Sequence, residues 1–373
     1  MKILIIPSEF PTISRPGSGT FIMDQTKILA DGGFDVTVLY HDQLSPIEAL
    51  NSKSFCSVKK DKIGRLTTII STGLNIPKLS EKLFVRGIDN LLQNHTNNDF
   101  DIIHAHFCVW SGICAKYISD KYKIPYIVTE HSSSFPRGQY NKYKLKKARE
   151  VFLKSSKNIV PSKFLESAIC KEIEKKINFL IVSNPVTIKD PKISKYEKTT
   201  AICISNLIEL KSIDLIIKSL AKSGTDINLN IAGDGPELDS LKELVIALKI
   251  EDRVKFLGRI PRDQVAVEFS KSHFFCHASK FETFGIVVAE SLFFGLPVIC
   301  TRCGAPESFL SEENSILVDV DDENAYVEAF KKMNKSMNKF DRDAIIKRVK
   351  DEFGTNVFLE KHRQIYEELF KSR

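Results

Sequence analysis

The chain has 373 residues, 43% of them hydrophobic and 27% charged, with 54 Lys and Arg against 47 Asp and Glu for a net charge of +7. That length exceeds one comfortable hydrophobic core, so two domains with a ligand site in the cleft between them are expected. The composition excludes a disordered or low-complexity chain. The absence of any run of eighteen uncharged apolar residues argues against a spanning helix and for a cytoplasmic protein.

The opening MKILIIPSEFP has one lysine and a short apolar run stopped by Pro7, and reads as a first strand rather than a leader. From there, short β-branched runs alternate with helical patterns, the signature of βα units and parallel sheets. Strands are predicted at 3–8, 36–40, 101–107, 126–131, 158–162 and 179–184, then at 201–206, 227–233, 254–258, 273–279, 297–303 and 315–319. These make two doubly wound α/β halves. The lysine-rich segment 187–200 reads as the linker, giving domains at 1–186 and 187–355. At the far end Val357, Leu359, Ile365, Tyr366, Leu369 and Phe370 follow helical spacing.

Several local features carry chemistry. PGSGT at 16–20 is either an ordinary turn with Thr20 as N-cap or a loop in which Gly17 and Gly19 let bare backbone approach a diphosphate or an acceptor. His104 and His106 share one face of a strand and, with no third ligand at hand, read as structural or cleft-lining. His131, in TEHSS, ends the next strand, where a lone histidine is by itself a structural hydrogen-bonder. Between Asn141 and Lys157, seven basic residues face Glu150 alone; this is a solvated helix face or a patch for anionic lipid headgroups or an acidic acceptor. No nucleic-acid partner is expected. The eight cysteines sit mostly in apolar runs and read as reduced packing residues. Cys300 and Cys303 form a CxxC without a second pair at zinc spacing, so no metal or redox role is assigned to them.

The most informative stretch is SKFETFGIVVAESLFFGLPVICTRCGAPE at 279–307. Glu290 lies within Ile286, Val287, Val288, Ala289, Leu292, Phe293 and Phe294, a pattern expected of a helix buried all round. An ionised carboxylate there requires a hydrogen-bonding partner. That partner is a neighbouring Lys, Arg or amide, or else the vicinal diol of a bound ligand. Glu282, seven residues earlier in the chain, precedes a helix N-terminus whose free amides attract an anion.

This stretch resembles the signature of the GT4-type retaining glycosyltransferases of the GT-B fold: a Glu-x7-Glu pair, then Gly-Leu-Pro-Val at 295–298 and Gly-x-Pro-Glu at 304–307. The resemblance covers nearly the whole chain and is strongest from 205 to 307. IAGDGPE at 231–237 matches the family's Gly-x-Gly-Pro element beside the nucleotide, and NPV at 184–186 matches the end of its first domain. Lys211 stands where the family's diphosphate-binding Lys stands. Asn206 replaces the family Arg, and Ser212 replaces a Gly.

The resemblance implies two Rossmann-like domains facing a central cleft, an acceptor-binding domain at 1–186 and a donor-binding domain at 187–355, with a terminal helix at 356–373 crossing back to the first. It implies retaining transfer of a sugar from a nucleotide-sugar donor to a hydroxyl of a glycan or lipid-linked acceptor, with no metal or other cofactor. In that scheme Lys211 and the backbone of Thr283, Phe284, Gly285 and Ile286 hold the diphosphate, beside Asn206 and Gly233. Glu290 grips the ribose, while Glu282 and His131 orient the sugar. The glycine loop at Gly17 and Gly19 faces the cleft. Arg259 or Arg302, at predicted strand ends, could substitute for the missing cation. An acceptor in bacterial-type envelope glycan synthesis (lipopolysaccharide, O-antigen or capsule) is expected, with peripheral contact at the inner face of the membrane through Asn141 to Lys157. The same fold leaves two alternatives, a sugar-nucleotide epimerase and a catalytically silent carbohydrate-binding protein.

Overall fold

The computed structural model describes residues 1–51, 56–187 and 194–371. The chain forms two compact units, Met1–Asn184 joined by the segment from Thr355, and Pro185–Gly354. Part of the predicted linker, 188–193, lies outside the described residues. From Tyr196 onward the chain packs on the second unit, where the Tyr196 hydroxyl donates to Glu268 Oε2 at 2.8 Å.

The first unit holds an eight-stranded sheet: β1 Lys2–Pro7, β2 Asp35–Leu44, β3 Val58–Ile63, β4 Leu66–Leu74, β5 Ile102–His106, β6 Tyr126–Thr129, β7 Lys157–Val160 and β8 Leu180–Ile181. Their order is β3-β4-β2-β1-β5-β6-β7-β8. Every neighbouring pair is parallel except β3 with β4. Helices cover both faces of such a sheet, which is why β1 (KILIIP) and β5 (IIHAH) are apolar or buried almost throughout. The helix Thr355–Lys371 belongs to this unit. Its Tyr366 is fully buried, hydrogen-bonded to His104 Nδ1 at 2.7 Å and edge-on to Phe34.

Three departures from the sequence reading stand out here. No strand was expected between 40 and 101, yet β3 and β4 lie there and β2 runs on to Leu44. Every residue of β3 is exposed, and its lysines suit an edge that must not pair with another chain, so no alternation betrays it. Conversely, the strand expected at 179–184 shrinks to the two residues of β8.

The second unit is a six-stranded parallel sheet: β9 Thr200–Ile204, β10 Asn228–Ala232, β11 Val254–Gly258, β12 Phe274–His277, β13 Val298–Thr301 and β14 Ser315–Val318. Its order, β11-β10-β9-β12-β13-β14, is the doubly wound arrangement whose strand order reverses between β9 and β12. Pairing across that seam is short, Phe274 with Ala201 and Phe275 with Ile202, so β9 and β12 part toward their C-terminal ends. In open α/β sheets this crevice is where ligands bind.

Candidate active site

A cavity of about 320 Å3 occupies that crevice, lined by Ser205 and Asn206 after β9, Gly233 after β10, Arg259 after β11, His277 ending β12, and Lys211, Glu282, Gly285, Ile286 and Val287. The backbone there tolerates no side chain at two points. Gly233 has φ 147°, and a Cβ on it would stand 1.8 Å from the carbonyl oxygen of Ser205. Gly285, with φ 79°, caps the helix Ile286–Phe293, and a Cβ would meet Pro306 at 2.7 Å. Glycine thus lets the loops after β9 and β10 touch, and lets that helix aim its unpaired first-turn amides along the cavity wall.

Glu282 is the electrostatic centre. Its Oε1 accepts from Lys211 Nζ at 2.5 Å and lies 3.1 Å from His277 Nε2. Burial alone would raise its pKa. The hydrogen bond from His277 and the charge of Lys211 outweigh that and bring it down to about 2. His277 is pulled the other way. Burial opposes its charge, but hydrogen bonds to Cys303 and Glu282 raise it to about 9. A carboxylate flanked by two cations stays ionised.

Glu290 is buried, with its side chain 3% exposed, and Arg262 Nη2 donates to its Oε1 at 2.7 Å. Of the two partners weighed for it, a protein guanidinium is therefore present. Its helix is not buried all round as expected: Ile286, Val287 and Phe293 are half-buried, and the first two line the cavity. Phe284 points into the core, against Phe309 and Phe353, so its backbone is what it offers a ligand. Thr283 is half-buried in the same turn. Of the two arginines weighed as substitutes, Arg259 lines the cavity. Arg302 instead reaches Asp319 at 3.4 Å and Glu307 at 3.6 Å.

His131, Gly17 and Gly19 lie in the other unit. Gly19, not Thr20, takes the N-cap position of the helix Thr20–Asp31, while Gly17 is exposed in the preceding turn. His131 follows β6 and stacks on His106 (5.4 Å, 3° between planes), with 3.2 Å between its Nε2 and His106 Nδ1. His104 is fully engaged by Tyr366 and Thr129, each at 2.7 Å. Next to His131 in the chain is Glu130, unremarked in the sequence, whose two oxygens accept from the amides of Cys108, His131 and Ser132 at 2.7–2.8 Å. Among the described residues no group of three His, Cys, Asp or Glu side chains is placed to hold a metal ion.

His277 and Arg262 also escaped the sequence reading. A histidine inside the strand predicted at 273–279, five residues before Glu282, was the available signal for the first. For the second it was an arginine opening a helix after Pro261, in register with nothing obvious.

Two family models match the chain in tandem: that of glycosyltransferase family 4 over residues 16–188 and that of the glycosyl transferases group 1 over residues 186–350. Together the two glycosyltransferase models span residues 16–350. The chain is 33% identical over 164 residues to an uncharacterized glycosyltransferase of Haemophilus influenzae, covering 40% of the chain and 46% of that protein. It is 37% identical over 134 residues to the N-acetylgalactosamine-N,N'-diacetylbacillosaminyl-diphospho-undecaprenol 4-alpha-N-acetylgalactosaminyltransferase of Campylobacter jejuni, covering 35% of the chain and 36% of that enzyme. The chain thus spans less than half the length of these relatives. A third, from Bacillus subtilis and provisionally named for teichuronic acid biosynthesis, is 24% identical over 363 residues, 88% of each chain.

Among solved structures, the sucrose-phosphate synthase of Thermosynechococcus elongatus aligns with a TM-score of 0.82 at 18% identity over 100% of both chains. Anabaena HepE, solved with UDP and glucose, aligns at 0.74 and 16% identity, covering 99% of this chain and 100% of HepE. These likenesses establish the GT-B fold.

Proposed function

We propose that the protein moves a sugar from a nucleotide-sugar donor to an acceptor hydroxyl with retention at the anomeric carbon. The observation that carries this is the convergence of Lys211, Asn206, Gly233, Arg259, Glu282 and a helix N-terminus on one cavity at the switch point of the second unit. In this reading the bond from the anomeric carbon to the diphosphate oxygen breaks, and its electrons leave with the diphosphate. Lys211, Arg259 and the amides at Gly285 to Val287 meet that charge. The acceptor oxygen bonds to the anomeric carbon on the same face and gives its proton to the departing phosphate oxygen. No enzymic nucleophile and no metal enters any step.

Glu290 takes the ribose hydroxyls, Glu282 orients the sugar, and the first unit takes the acceptor. The Campylobacter relative acts on a diphospho-undecaprenol-linked acceptor and the Bacillus relative is named for a cell-wall polymer, so an envelope glycan on a lipid carrier is the acceptor class we infer. HepE binds UDP, which puts UDP-sugars first among donors.

Thermal denaturation against a panel of nucleotide sugars tests the reading. A donor at a hundred times its dissociation constant stabilises the fold by about 2.7 kcal/mol, a shift of several degrees. Failure of every donor at millimolar concentration to move the transition would refute it.

Peripheral membrane contact belongs to the same reading. The helix Lys142–Lys154, capped by Asn141, exposes Lys142, Lys146, Arg149 and Lys154. Each basic residue near an anionic surface contributes about 1 kcal/mol. Neutralising Lys142, Lys144, Lys146 and Lys147 is expected to release the protein from anionic liposomes, and unchanged flotation removes the membrane contact.

A further inference from the structure

The short helix Pro46–Asn51 in the first unit carries its apolar side chains outward. It buries the small Ala49 and holds Ile47 and Leu50, three positions apart on one face, 73% and 88% exposed. Its carboxylate is already taken. Glu48 accepts from Arg15 Nη2 at 3.0 and 3.1 Å and from the Ser45 amide at 2.7 Å.

Ile13, Leu74, Ile76 and Leu79 are exposed as well, and hydrogen bonds tie their segments into one rim at the C-terminal ends of β2 and β4. Arg15 Nη2 donates to Gln43 O at 3.3 Å, Gln43 Nε2 to Ser80 O at 2.8 Å, and Asn75 N to Leu44 O at 2.8 Å. Tyr143, also exposed, joins them through its hydroxyl, which donates to Glu81 Oε1 at 3.3 Å. With Tyr143, these are seven of the fourteen large hydrophobic side chains exposed among the described residues, whereas the second unit contributes Ile246 alone. Single exposed apolar side chains are ordinary. Clustered ones mark a surface that is covered in use.

The charges around the rim choose what covers it. Its acids are engaged within the fold: Asp42 by Arg15 and Ser14, Glu48 by Arg15, Glu81 by Tyr143. Lys78, Lys82, Lys142 and Lys146 stand exposed beside them, their ammonium groups without a hydrogen bond or ion pair among the described residues. An apolar strip edged by uncompensated cations matches anionic headgroups above acyl chains. A second copy of the chain would set cations against cations.

We propose that this rim seats the first unit on an anionic lipid bilayer, with Ile47, Leu50 and Ile76 entering the acyl boundary and the lysines at headgroup level. This rests on the reading of the acceptor as lipid-linked and extends the contact from the lysine helix to an apolar face on other elements. Charge is one signal, and stable seating takes two. The rim lies on the edge of the sheet where open α/β units take ligands, so a carrier-borne hydroxyl meets the unit while its chain stays in lipid.

Flotation with vesicles of phosphatidylglycerol and phosphatidylcholine in equal parts tests the seating. Each Ile or Leu moved fully out of water is worth about tenfold, so combining Ile47→Ser, Leu50→Ser and Ile76→Ser is expected to weaken vesicle binding by about 100-fold if insertion is partial. The lysines are untouched in that variant, and its melting temperature is expected to stay at the wild-type value. Attraction by charge alone leaves the triple variant bound as wild type is, a result that overturns the insertion.

A second readout does not depend on affinity. Leu50→Trp, taken as the difference from wild type with its single Trp110, should lose fluorescence to brominated acyl chains in the same vesicles. No quenching beyond that of wild type overturns the insertion even where flotation falls. Sedimentation identifies the other occupant: a wild-type dimer that the triple variant dissociates, with vesicle binding retained, assigns the rim to self-association. Transfer to a short soluble acceptor is expected to be equal in the triple variant and wild type, and a fall there as large as the fall in flotation would make the rim part of the catalytic machinery instead. If the wild type transfers from no donor, the catalytic reading falls, while flotation and quenching still decide the rim.

Discussion

Each unit buries a carboxylate beside imidazoles at the C-terminal edge of its sheet, and the two treat them in opposite ways. In the second unit, the Oε1 of Glu282 faces side-chain cations, and His277 is held charged. In the first, the backbone amides of Cys108, His131 and Ser132 take both oxygens of Glu130, and no histidine ring is bonded to it among the described residues. There His104, His106, His131 and His362 stack on one another, and burial holds all four neutral. Burial is common to both places. What differs is the partner: His277 is paired with a carboxylate, whereas the four stacked histidines face one another.

The sharpest break of that contrast is Glu282→Ala, which removes the carboxylate that two cations share. A fall in kcat of at least about 100-fold is expected, the scale of losing one preorganised electrostatic contact. Glu290→Ala should behave differently, raising donor KM with a smaller change in kcat, since it removes binding rather than chemistry. Arg262, 44% exposed, can return to solvent, so the variant is expected to fold. Normal donor KM in folded Glu290→Ala protein would refute the ribose assignment.

Acid should act on the first unit. Burial depresses His131 to about 3 and His362 to about 4, whereas in the unfolded chain both titrate near 6.5. The unfolded state therefore binds protons first, so stability is full above about pH 6.5 and falls as pH drops toward the folded values. At pH 5 that amounts to roughly 2 kcal/mol for each imidazole held neutral. His277 has the opposite sign: its raised pKa supports the fold below about 6.5, and that support is lost as pH rises through about 9. Melting curves at pH 7.5 and 5.0 should separate by several degrees, and His362→Gln should narrow the gap. Equal melting of wild type at both pH values would sink the account of the stacked histidines.

The architecture was legible because parallel strands covered on both faces read as continuous apolar runs, as in TAICI of β9 and FFCH of β12, and because glycines mark forced turns at Gly233 and Gly285. The strands β3 and β4 were not. β3 is an exposed lysine-bearing edge, and its pairing partner is fixed by a hairpin rather than by a buried face. Lys211 and Glu282 could be named from their spacing in known elements. Arg262 could not, because Glu290 is brought to it from another helix, and His277 and Glu130 stand in no element whose spacing is known.

The smallest expected effect concerns the cation that Asn206 does not supply. Arg259 and Arg302 both follow strands of the second unit, but Arg302 spends its charge on Asp319 and Glu307, whereas Arg259 is exposed on the cavity rim. A solvent-facing cation contributes modestly, because water and salt screen it, so Arg259→Ala is expected to raise donor KM by about 3- to 10-fold, corresponding to roughly 1 kcal/mol. Arg302→Ala should stay within about twofold. Raising the salt concentration should shrink the Arg259 effect and leave that of Glu282→Ala nearly intact, since a buried carboxylate between two cations is screened far less than a rim arginine. Equal sensitivity of donor KM to the two arginines, or none to either, would mean that Lys211 and the helix amides hold the diphosphate without a second side-chain cation.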